Sequence, residues 1–371
     1  MKPAGVYRAV RDAMRYYGAN PGRSGHSLAM RAGEKLYTCR QKVAQLFNSA
    51  KEENVVFTLN GTMALNMAIK GVASVGDHFI ISSLEHNASA RPVHALKSRG
   101  VIDYDIASVC GNDDDTLRSF EQLIRKDTRA IVCTHVSNVF GNIMPIEKIG
   151  QLARKNGIIF IVDAAQSAGA LPIDVKRMNI DFLCMPAHKG LFAPMGLGVL
   201  VSCTDTHLVP IAEGGTGSLS SSLFQPDFLP DMLESGTVNL PAVAGLSAGI
   251  DFINSVGIKN ILAHEYMLVQ YLYDELSQID GVEMYAQKPR YPELAPLLSF
   301  NLRGVASNTV AELLDKDNIA VRAGLHCAPL AHNHYGTAPR GTVRLSPSFF
   351  NTMEQAKCVV SSVKKIKKYA I

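Results

Sequence analysis

The sequence lacks the features of a membrane or nucleic-acid-binding protein. No apolar run reaches the roughly 18 residues that span a bilayer, and the start carries no signal-peptide pattern. Lys and Arg form one dense run, KKIKKY from Lys364, which is interpreted as a solvated helix end. The formal net charge is only +4. We therefore expect a cytoplasmic, globular protein with no membrane and no nucleic-acid partner.

Paired cysteine motifs are missing as well. The seven cysteines are scattered and none forms a CxxC pair. Cys133, Cys184 and Cys203 lie in apolar surroundings and are predicted to be buried thiols. An odd, scattered set of cysteines favours a reducing compartment over a disulfide framework.

Hydrophobic patterning predicts an α/β fold. Short apolar runs such as VVFTL, HFIISS, AIVCTHVS, GIIFIVDAAQ and DFLCMPAHK alternate with stretches of helical spacing. These runs are continuous rather than alternating, which is typical of strands covered on both faces and therefore of a mostly parallel sheet. The later run GLGVLVS is predicted to be a return strand.

The length of 371 residues exceeds one typical core. After a long amphipathic helix the pattern changes to short strands mixed with helices, which is an α+β layout. We therefore predict a large domain over residues 16–254 and a smaller α+β domain over residues 255–371, with residues 1–15 packing on the smaller one.

Four polar features follow predicted strands, where ligands gather in open α/β sheets. Gly61 and Thr62 start a helix and could hold a phosphate, although a simple helix N-cap explains them equally. His135 ends one strand, and Asp163 ends another with Gln166 three residues on. A carboxylate at a buried strand tip needs a partner, which could be a helix start, a metal or a protonated ring nitrogen.

Lys189 ends the run DFLCMPAHK, and we expect it to be desolvated. Burial lowers the pKa of a lysine and frees its amine for Schiff-base chemistry. A phosphate cradle, a strand-end Asp, a Gln and a strand-end Lys together predict a pyridoxal 5′-phosphate site. In such a site His135 would stack on the cofactor ring.

The loop VRAGLHCAPLAHNH places one cysteine among three histidines. By themselves Cys327, His326, His332 and His334 are open to two interpretations, a metal site or a nucleophilic thiol on a tether. The histidines at 332 and 334 occupy alternate loop positions and no second cysteine is near.

The ordered motifs resemble a known family. The series NGTMALN, THVSNVFG, VDAAQS, AHKG, SGTVN, RAGLHCAPL and GTVRLS is similar to that of the cysteine desulfurases, in the class V aminotransferase group. It is most similar to their branch with a short cysteine loop. The resemblance spans nearly the whole chain and implies the type I fold of pyridoxal-phosphate-dependent transferases, with a large domain and a smaller C-terminal one.

The resemblance assigns the cofactor residues. Lys189 would bind the cofactor covalently and Asp163 would pair with its ring nitrogen. Gln166 would bond the phenolic oxygen, while His135 would stack and move protons. The cradle would comprise Gly61, Thr62, His188 and, from a neighbouring subunit of a homodimer, Thr237.

The resemblance also assigns the substrate side. Arg344 would grip the substrate carboxylate, a bidentate task suited to arginine. Asn138 and Arg322 would line the substrate side, and Arg23 and His26 lie in an N-terminal loop expected near the cofactor.

Cys327 would be the sulfur-accepting residue, and no metal is implied. L-Cysteine would become L-alanine, leaving a persulfide on Cys327, with the thiolate favoured by Arg322 or His326. A sulfur-acceptor protein would then serve iron–sulfur cluster or thio-cofactor assembly. Two alternatives remain open: a lyase acting on L-selenocysteine or on C–S bonds, which would not need Cys327, and a non-catalytic assembly scaffold.

Two departures from the family pattern bear on activity. The chain starts at MKPAGVYRAV, where relatives first have a strand that shapes the active-site entrance. Pro186 stands where relatives often carry a hydroxyl residue that touches the phosphate. Loss of such a bond to a charged group costs about 1.5–3 kcal/mol, so weaker cofactor binding is expected.

Overall fold

The computed structural model describes residues 1–21 and 25–369. The chain forms two compact units. The first comprises residues 1–82, 88–135 and 145–258, and the second comprises residues 83–87, 136–144 and 259–371.

A seven-stranded sheet forms the centre of the first unit. Its strands are β1 (Val55–Thr58), β2 (Asp77–Ser82), β3 (Ile102–Ala107), β4 (Thr128–Thr134), β5 (Ile159–Asp163), β6 (Phe182–Pro186) and β7 (Gly198–Ser202). They lie in the order β1-β7-β6-β5-β4-β2-β3. The pairs from β3 to β6 are parallel, whereas β7 is antiparallel to both β1 and β6. The predicted mostly parallel sheet with a return strand is confirmed.

Strands β1, β5, β6 and β7 are buried along their whole length. Continuous burial matches the continuous apolar runs that predicted them, because helices cover a parallel sheet on both faces. The helices of this part of the chain are α1 (Ala4–Tyr16), α2 (Ser27–Phe47), a 3₁₀ turn (Glu52–Asn54), α3 (Gly61–Val72), α4 (Asn87–Ser98), α5 (Asp113–Glu121), α6 (Ile146–Lys155) and α7 (Leu240–Val256).

The sequence pattern did not predict β3. This strand pairs only with β2 at the edge of the sheet, and its middle residues are partly exposed. Asp103 and Asp105 therefore face ion partners instead of a core: Asp103 pairs with Lys97 at 2.7 Å and Asp105 with Arg125 at 3.4 Å. A half-solvated edge strand carries no continuous apolar signal.

The second unit has an antiparallel four-stranded sheet in the order β10-β11-β9-β8. Its strands are β8 (Val282–Met284), β9 (Leu298–Leu302), β10 (Arg322–Gly324) and β11 (Thr342–Leu345), and the remaining helices are α8 (Ile258–Ser277), α9 (Ser307–Lys316), α10 (Pro329–His334) and α11 (Met353–Tyr369). Leu272, Phe300, Val343 and Val363 belong to one buried cluster. Strands and helices share this core, as the α+β pattern predicted.

The expected placement of residues 1–15 on the smaller domain is wrong. Helix α1 belongs to the first unit, where Ala13 lies in one buried cluster with Leu240 and Ala244 of α7. The small side chains along α7 let the apolar face of α1 pack closely. The expected boundary between residues 254 and 255 stays a prediction; the compact units divide after Ile258, and residues 83–87 and 136–144 join the second unit.

The basic run at the end of the sequence lies on α11. Lys364 pairs with Glu275 at 3.3 Å and Lys367 with Asp280 at 2.9 Å. Within the described part of the chain, no single helix is long and apolar enough to cross a membrane; the bent pair α7 and α8 passes that test by length and composition alone. Cys133 and Cys184 are buried as predicted, whereas Cys203 is half-buried.

Candidate active site

The first turn of α3 lies against the end of β6. Asn60 caps the helix, its side chain accepting a hydrogen bond from the Met63 amide at 2.9 Å. Gly61 is buried so closely that a Cβ there would lie 2.7 Å from the Pro186 nitrogen. Because Asn60 is the cap, Thr62 is not needed for that task and presents an exposed hydroxyl beside free helix amides.

The ends of β4, β5 and β6 bring the predicted polar residues to one edge. Thr134 is opposite Asp163 in the register, and Asp163 is opposite Cys184. The His135 amide donates to the Asp163 carbonyl at 2.9 Å. His135 and Asp163 are therefore neighbours, as expected for the carboxyl edge of a parallel sheet.

Asp163 is a buried carboxylate, 2% exposed, whose Oδ1 accepts a hydrogen bond from the Ala165 amide at 2.8 Å. Burial raises the pKa of Asp163, and the Ala165 hydrogen bond and the charge of Lys189 oppose that rise. Lys189 is thus close enough to act on this carboxyl group. A buried acid is costly unless it meets a positive partner.

His135 is 5% exposed, and its Nδ1 has no hydrogen-bond partner among the described residues. Burial lowers its pKa to about 4. The ring is consequently a neutral imidazole near neutral pH, with a flat face and one unused nitrogen beside Asp163.

Lys189 is exposed, which corrects the expectation of a desolvated amine. It lies three residues beyond β6, in a turn at the sheet edge rather than in the strand. His188 is half-buried, and its pKa is lowered by burial and by the charges of Lys189 and Lys2. Gln166 is half-buried.

Sequence reasoning missed Lys2. Its ammonium group donates to the carbonyl of His188, and burial lowers its pKa. Only the folded chain brings residue 2 to residue 188, so no local signal could have found it. Lys2 adds a positive charge next to a residue assigned to phosphate binding.

These residues fit pyridoxal phosphate. The groups that a pyridinium ring and its phosphate require are a buried carboxylate, a neutral imidazole and free helix-start amides. Asp163, His135, whose Nδ1 has no partner among the described residues, and the start of α3 provide them. Pro186 closes the same cradle without a hydroxyl, with its ring against Gly61.

The second unit contains Cys327 and the two arginines assigned to the substrate side. Arg322 of β10 is paired with Arg344 of β11 in the sheet register. The Arg322 Nη2 lies 3.1 Å from the Cys327 Sγ. The thiol is exposed. A positively charged guanidinium therefore lies directly beside an exposed thiol.

The cysteine loop is tightly held. His326 and Cys327 both have left-handed backbones, with φ of 51° and 57°. The Cys327 carbonyl accepts from the Asn87 amide at 2.7 Å, and the Ala328 amide donates to the Leu325 carbonyl at 2.9 Å. Asn87 is a second residue that the sequence patterns did not identify.

His326 is 2% exposed, and its Nε2 donates to the Thr342 carbonyl at 3.0 Å. Its ring stacks on His332 with centroids 5.7 Å apart. Burial, followed by the charge of Arg344, lowers the pKa of His326 to about 4. A neutral His326 cannot supply positive charge, so Arg322 is the positively charged group beside the Cys327 thiol.

The remaining histidines of this loop are engaged elsewhere. His332 Nδ1 lies 2.7 Å from the Thr337 hydroxyl and His334 Nδ1 lies 3.3 Å from the Ser83 hydroxyl. No group of three or more potential metal ligands occurs in the described ranges.

Arg344 is a partly buried, positively charged group that could bind an anion. Its Nη1 donates to the Asn138 carbonyl at 2.6 Å, while its buried Nε has no partner within residues 1–21 and 25–369. Burial and the nearby charge of Arg322 lower its pKa to about 10. Two guanidinium groups so placed favour a carboxylate ligand. The Asn138 side chain is buried, and its amide donates to the His326 carbonyl at 2.9 Å.

Two further assigned residues, Thr237 and His26, have separate surroundings. Thr237 is exposed and lines a cavity of about 260 Å³ together with Arg40 and Glu234. His26 caps α2, accepting from the Ala29 amide at 3.2 Å. Arg23 lies outside the described residues.

Comparison with known proteins identifies the family of this chain. The family model for class V aminotransferases matches residues 1–359. A probable cysteine desulfurase of Methanothermobacter thermautotrophicus is 34% identical over 98% of this chain and 92% of its own length. Another, of Halalkalibacterium halodurans, is 34% identical over 99% of this chain and 91% of its own.

Solved structures agree as well. The apo cysteine desulfurase of Thermococcus onnurineus superposes with a TM-score of 0.91 at 32% identity, covering 100% of this chain and 92% of that one. The cysteine desulfurase CsdA of Escherichia coli, in an S-sulfonic acid form, gives a TM-score of 0.90 at 26% identity, covering 100% and 93%. The expected type I fold is confirmed. The chain therefore belongs to the class V aminotransferase family, in its group of cysteine desulfurases.

Proposed function

We propose that this protein is a pyridoxal-phosphate-dependent cysteine desulfurase that converts L-cysteine to L-alanine and keeps the sulfur as a persulfide on Cys327. The observation that carries the proposal is the 3.1 Å contact between Arg322 Nη2 and Cys327 Sγ. It favours the thiolate, the form of cysteine that attacks sulfur. The names of the relatives support the same activity.

Arg344 binds the substrate carboxylate in this proposal. Its unused Nε and its guanidinium plane offer a bidentate site, and desolvation strengthens a charge-assisted pair. The neighbouring guanidinium of Arg322 adds positive charge, so an α-carboxylate relieves the repulsion between the two arginines.

The cofactor residues belong to the first unit. Pyridoxal phosphate, when bound, supplies an electron-poor ring that accepts the electron pair released at the substrate carbon. Asp163 would keep the ring nitrogen protonated and His135 would stack on the ring. The other assigned residues are Gly61, Thr62, Gln166, His188, Lys189 and, from a second copy of this chain, Thr237.

The sulfur transfer balances without an added oxidant or reductant. Lys189 is the group that moves the proton on and off the substrate Cα. The Cys327 thiolate forms a bond to the substrate sulfur while the bond between that sulfur and the substrate carbon breaks. The carbon keeps the electron pair and takes up a proton, which yields alanine. The terminal sulfur then remains on Cys327.

Release of alanine and sulfide from L-cysteine under a thiol reductant tests this function. We expect activity in the wild type, none in Cys327→Ala and full activity in the matched control Cys358→Ala, an exposed thiol on α11. Mass spectrometry of the wild type without reductant should find one extra sulfur on the Cys327 peptide. Equal activity in Cys327→Ala would instead support a lyase, with L-selenocysteine as the substrate to try. Inactivity of the wild type with cofactor bound would favour a non-catalytic scaffold.

Homodimerisation is part of the proposal, because Thr237 is assigned to a phosphate in the neighbouring subunit. Leu223 and Phe224, 103% and 87% exposed, lie in the segment before Thr237 and would be covered by a partner. Light scattering should give twice the 40.2 kDa chain mass. A monomer that retains activity would contradict this part.

We also place the sulfur acceptor outside this chain. The contacts that hold Cys327 leave its loop little freedom, so an acceptor protein must come to the exposed thiol. Iron–sulfur cluster or thio-cofactor assembly in the cytoplasm is the proposed destination. Acceptor candidates should accelerate alanine formation; no acceleration by any of them would contradict this requirement.

A further inference from the structure

Asn138 forms hydrogen bonds with both the cysteine loop and Arg344. Its buried side-chain amide donates to the His326 carbonyl at 2.9 Å. Its backbone carbonyl accepts from Arg344 Nη1 at 2.6 Å. One residue therefore connects the arginine assigned to the substrate carboxylate with the residue that precedes Cys327.

The segment that carries Asn138 is itself well anchored. Val136 and Ile143 form a β-bridge, and the Ser137 amide donates to the Asn142 carbonyl at 3.0 Å. The Asn142 side-chain amide donates to the hydroxyl of Tyr335, the residue that follows α10, at 2.8 Å. Asn138 is thus a rigid point from which the cysteine loop can be held.

The cysteine loop needs such a hold. His326 and Cys327 are consecutive non-glycine residues at positive φ, a strained conformation that persists only where the surroundings impose it. The Asn138 bond to His326 and the Asn87 bond to Cys327 act on successive carbonyls. Loss of the first would let the backbone relax and move the thiol away from Arg322.

We propose that Asn138 is a positioning residue that holds the Cys327 thiol beside Arg322 before any substrate binds. This inference rests on the proposed function and adds a role for Asn138. One N–H of its side-chain amide binds the His326 carbonyl, in addition to the place on the substrate side that the family resemblance assigned to it. Its influence on sulfur transfer then passes through the loop.

Alkylation of Cys327 in the holoenzyme, without substrate, tests the proposal. The rate with iodoacetamide is measured against pH and assigned by peptide mass spectrometry, because Cys110 and Cys358 are also exposed. Asn138→Asp replaces the amide donor by a carboxylate, which the His326 carbonyl repels. We expect this variant to slow alkylation of Cys327 at neutral pH about fivefold to tenfold. The uncharged Asn138→Ala should slow it too. The rate constant for alanine formation should fall more than KM rises.

Asn333→Asp, on the exposed side of α10, is the matched control for added charge and should leave the alkylation profile unchanged. If Asn138→Asp does not fold, Asn138→Ala decides alone. An unchanged alkylation profile together with a raised KM would make Asn138 a substrate ligand and overturn the proposal. A wild type that makes no alanine would overturn the proposed function, and the alkylation comparison would still judge Asn138.

Discussion

The Arg322 guanidinium donates to the Cys327 sulfur across 3.1 Å, and the pairing of β10 with β11 places Arg344 next to Arg322. One arginine therefore lies beside the thiol, while the buried Nε of its neighbour has no partner in the described part of the chain. The arginine beside the proposed nucleophile and the arginine of the proposed carboxylate site lie on adjacent strands of one small sheet.

Replacing Arg322 by glutamine removes the positive charge beside the thiol. We expect Cys327 alkylation at neutral pH to fall about fivefold. This is about 1 kcal/mol, less than the usual 1.5–3 kcal/mol of a charge-assisted hydrogen bond, because Arg322 is exposed. Alkylation kinetics of the holoenzyme measure this directly. Arg303→Gln, at an exposed arginine of the same unit, is the control; equal slowing in both variants would mean that overall charge is responsible.

Arg344→Lys keeps the positive charge but removes the planar guanidinium group that can bind a carboxylate through two N–H groups. We expect KM for L-cysteine to rise about tenfold, which corresponds to about 1.4 kcal/mol. Steady-state kinetics over a range of L-cysteine concentrations give this value. Arg340→Lys changes an arginine that pairs with Glu283 at 2.8 Å and should leave KM unchanged. A wild-type KM in Arg344→Lys would remove Arg344 from carboxylate binding.

Gly61→Ala tests the phosphate cradle. The new Cβ would lie 2.7 Å from the Pro186 nitrogen, so the start of α3 must shift from the end of β6. We expect the dissociation constant for pyridoxal phosphate, measured by fluorescence titration of the apoprotein, to rise about tenfold, as for one lost bond to a charged group. Gly5→Ala, in a helix with no atom within 4 Å of the added Cβ, is the control. Wild-type affinity in Gly61→Ala would place the phosphate elsewhere.

Glu265 of α8 makes stability depend on pH. Its carboxyl accepts from the Phe349 amide at 3.1 Å, and burial raises its pKa from 4.5 to about 7. Below pH 4.5 the group is protonated in both states, and between that value and about 7 only the unfolded chain ionises. The contribution of Glu265 to the free energy of unfolding therefore falls as the pH rises from 4.5 to about 7, and it stays constant at higher pH.

Glu265→Gln should accordingly match the wild type at the acid end of this window and unfold at higher denaturant concentration above it. Urea unfolding monitored by circular dichroism at several pH values measures the difference. Glu312→Gln, at an exposed position of α9, should show no such trend. A constant difference between Glu265→Gln and wild type across the window would mean that this carboxyl does not titrate there.

The fold was largely readable from the sequence. Strands β5 and β6 were predicted from uninterrupted apolar runs, which arise because both faces of the sheet are covered. Strand β3 was not predicted, since Asp103 and Asp105 make ion pairs with Lys97 and Arg125 at a half-exposed edge. The wrong placement of α1 has a related cause: an amphipathic helix shows that one face is buried but not against which partner.

The residue types of the candidate site followed from the sequence alone, because strand ends with Asp163, His135 and Lys189 and a loop with Cys327 carry recognisable chemistry. The environments of those residues did not. The exposure of Lys189, the choice of Arg322 over His326 beside the thiol, and the two contacts of Asn138 depend on segments distant in the chain. Local patterning determines which backbone forms and which groups are available, whereas burial, charge and hydrogen-bond partners are set only when non-local packing brings those groups together.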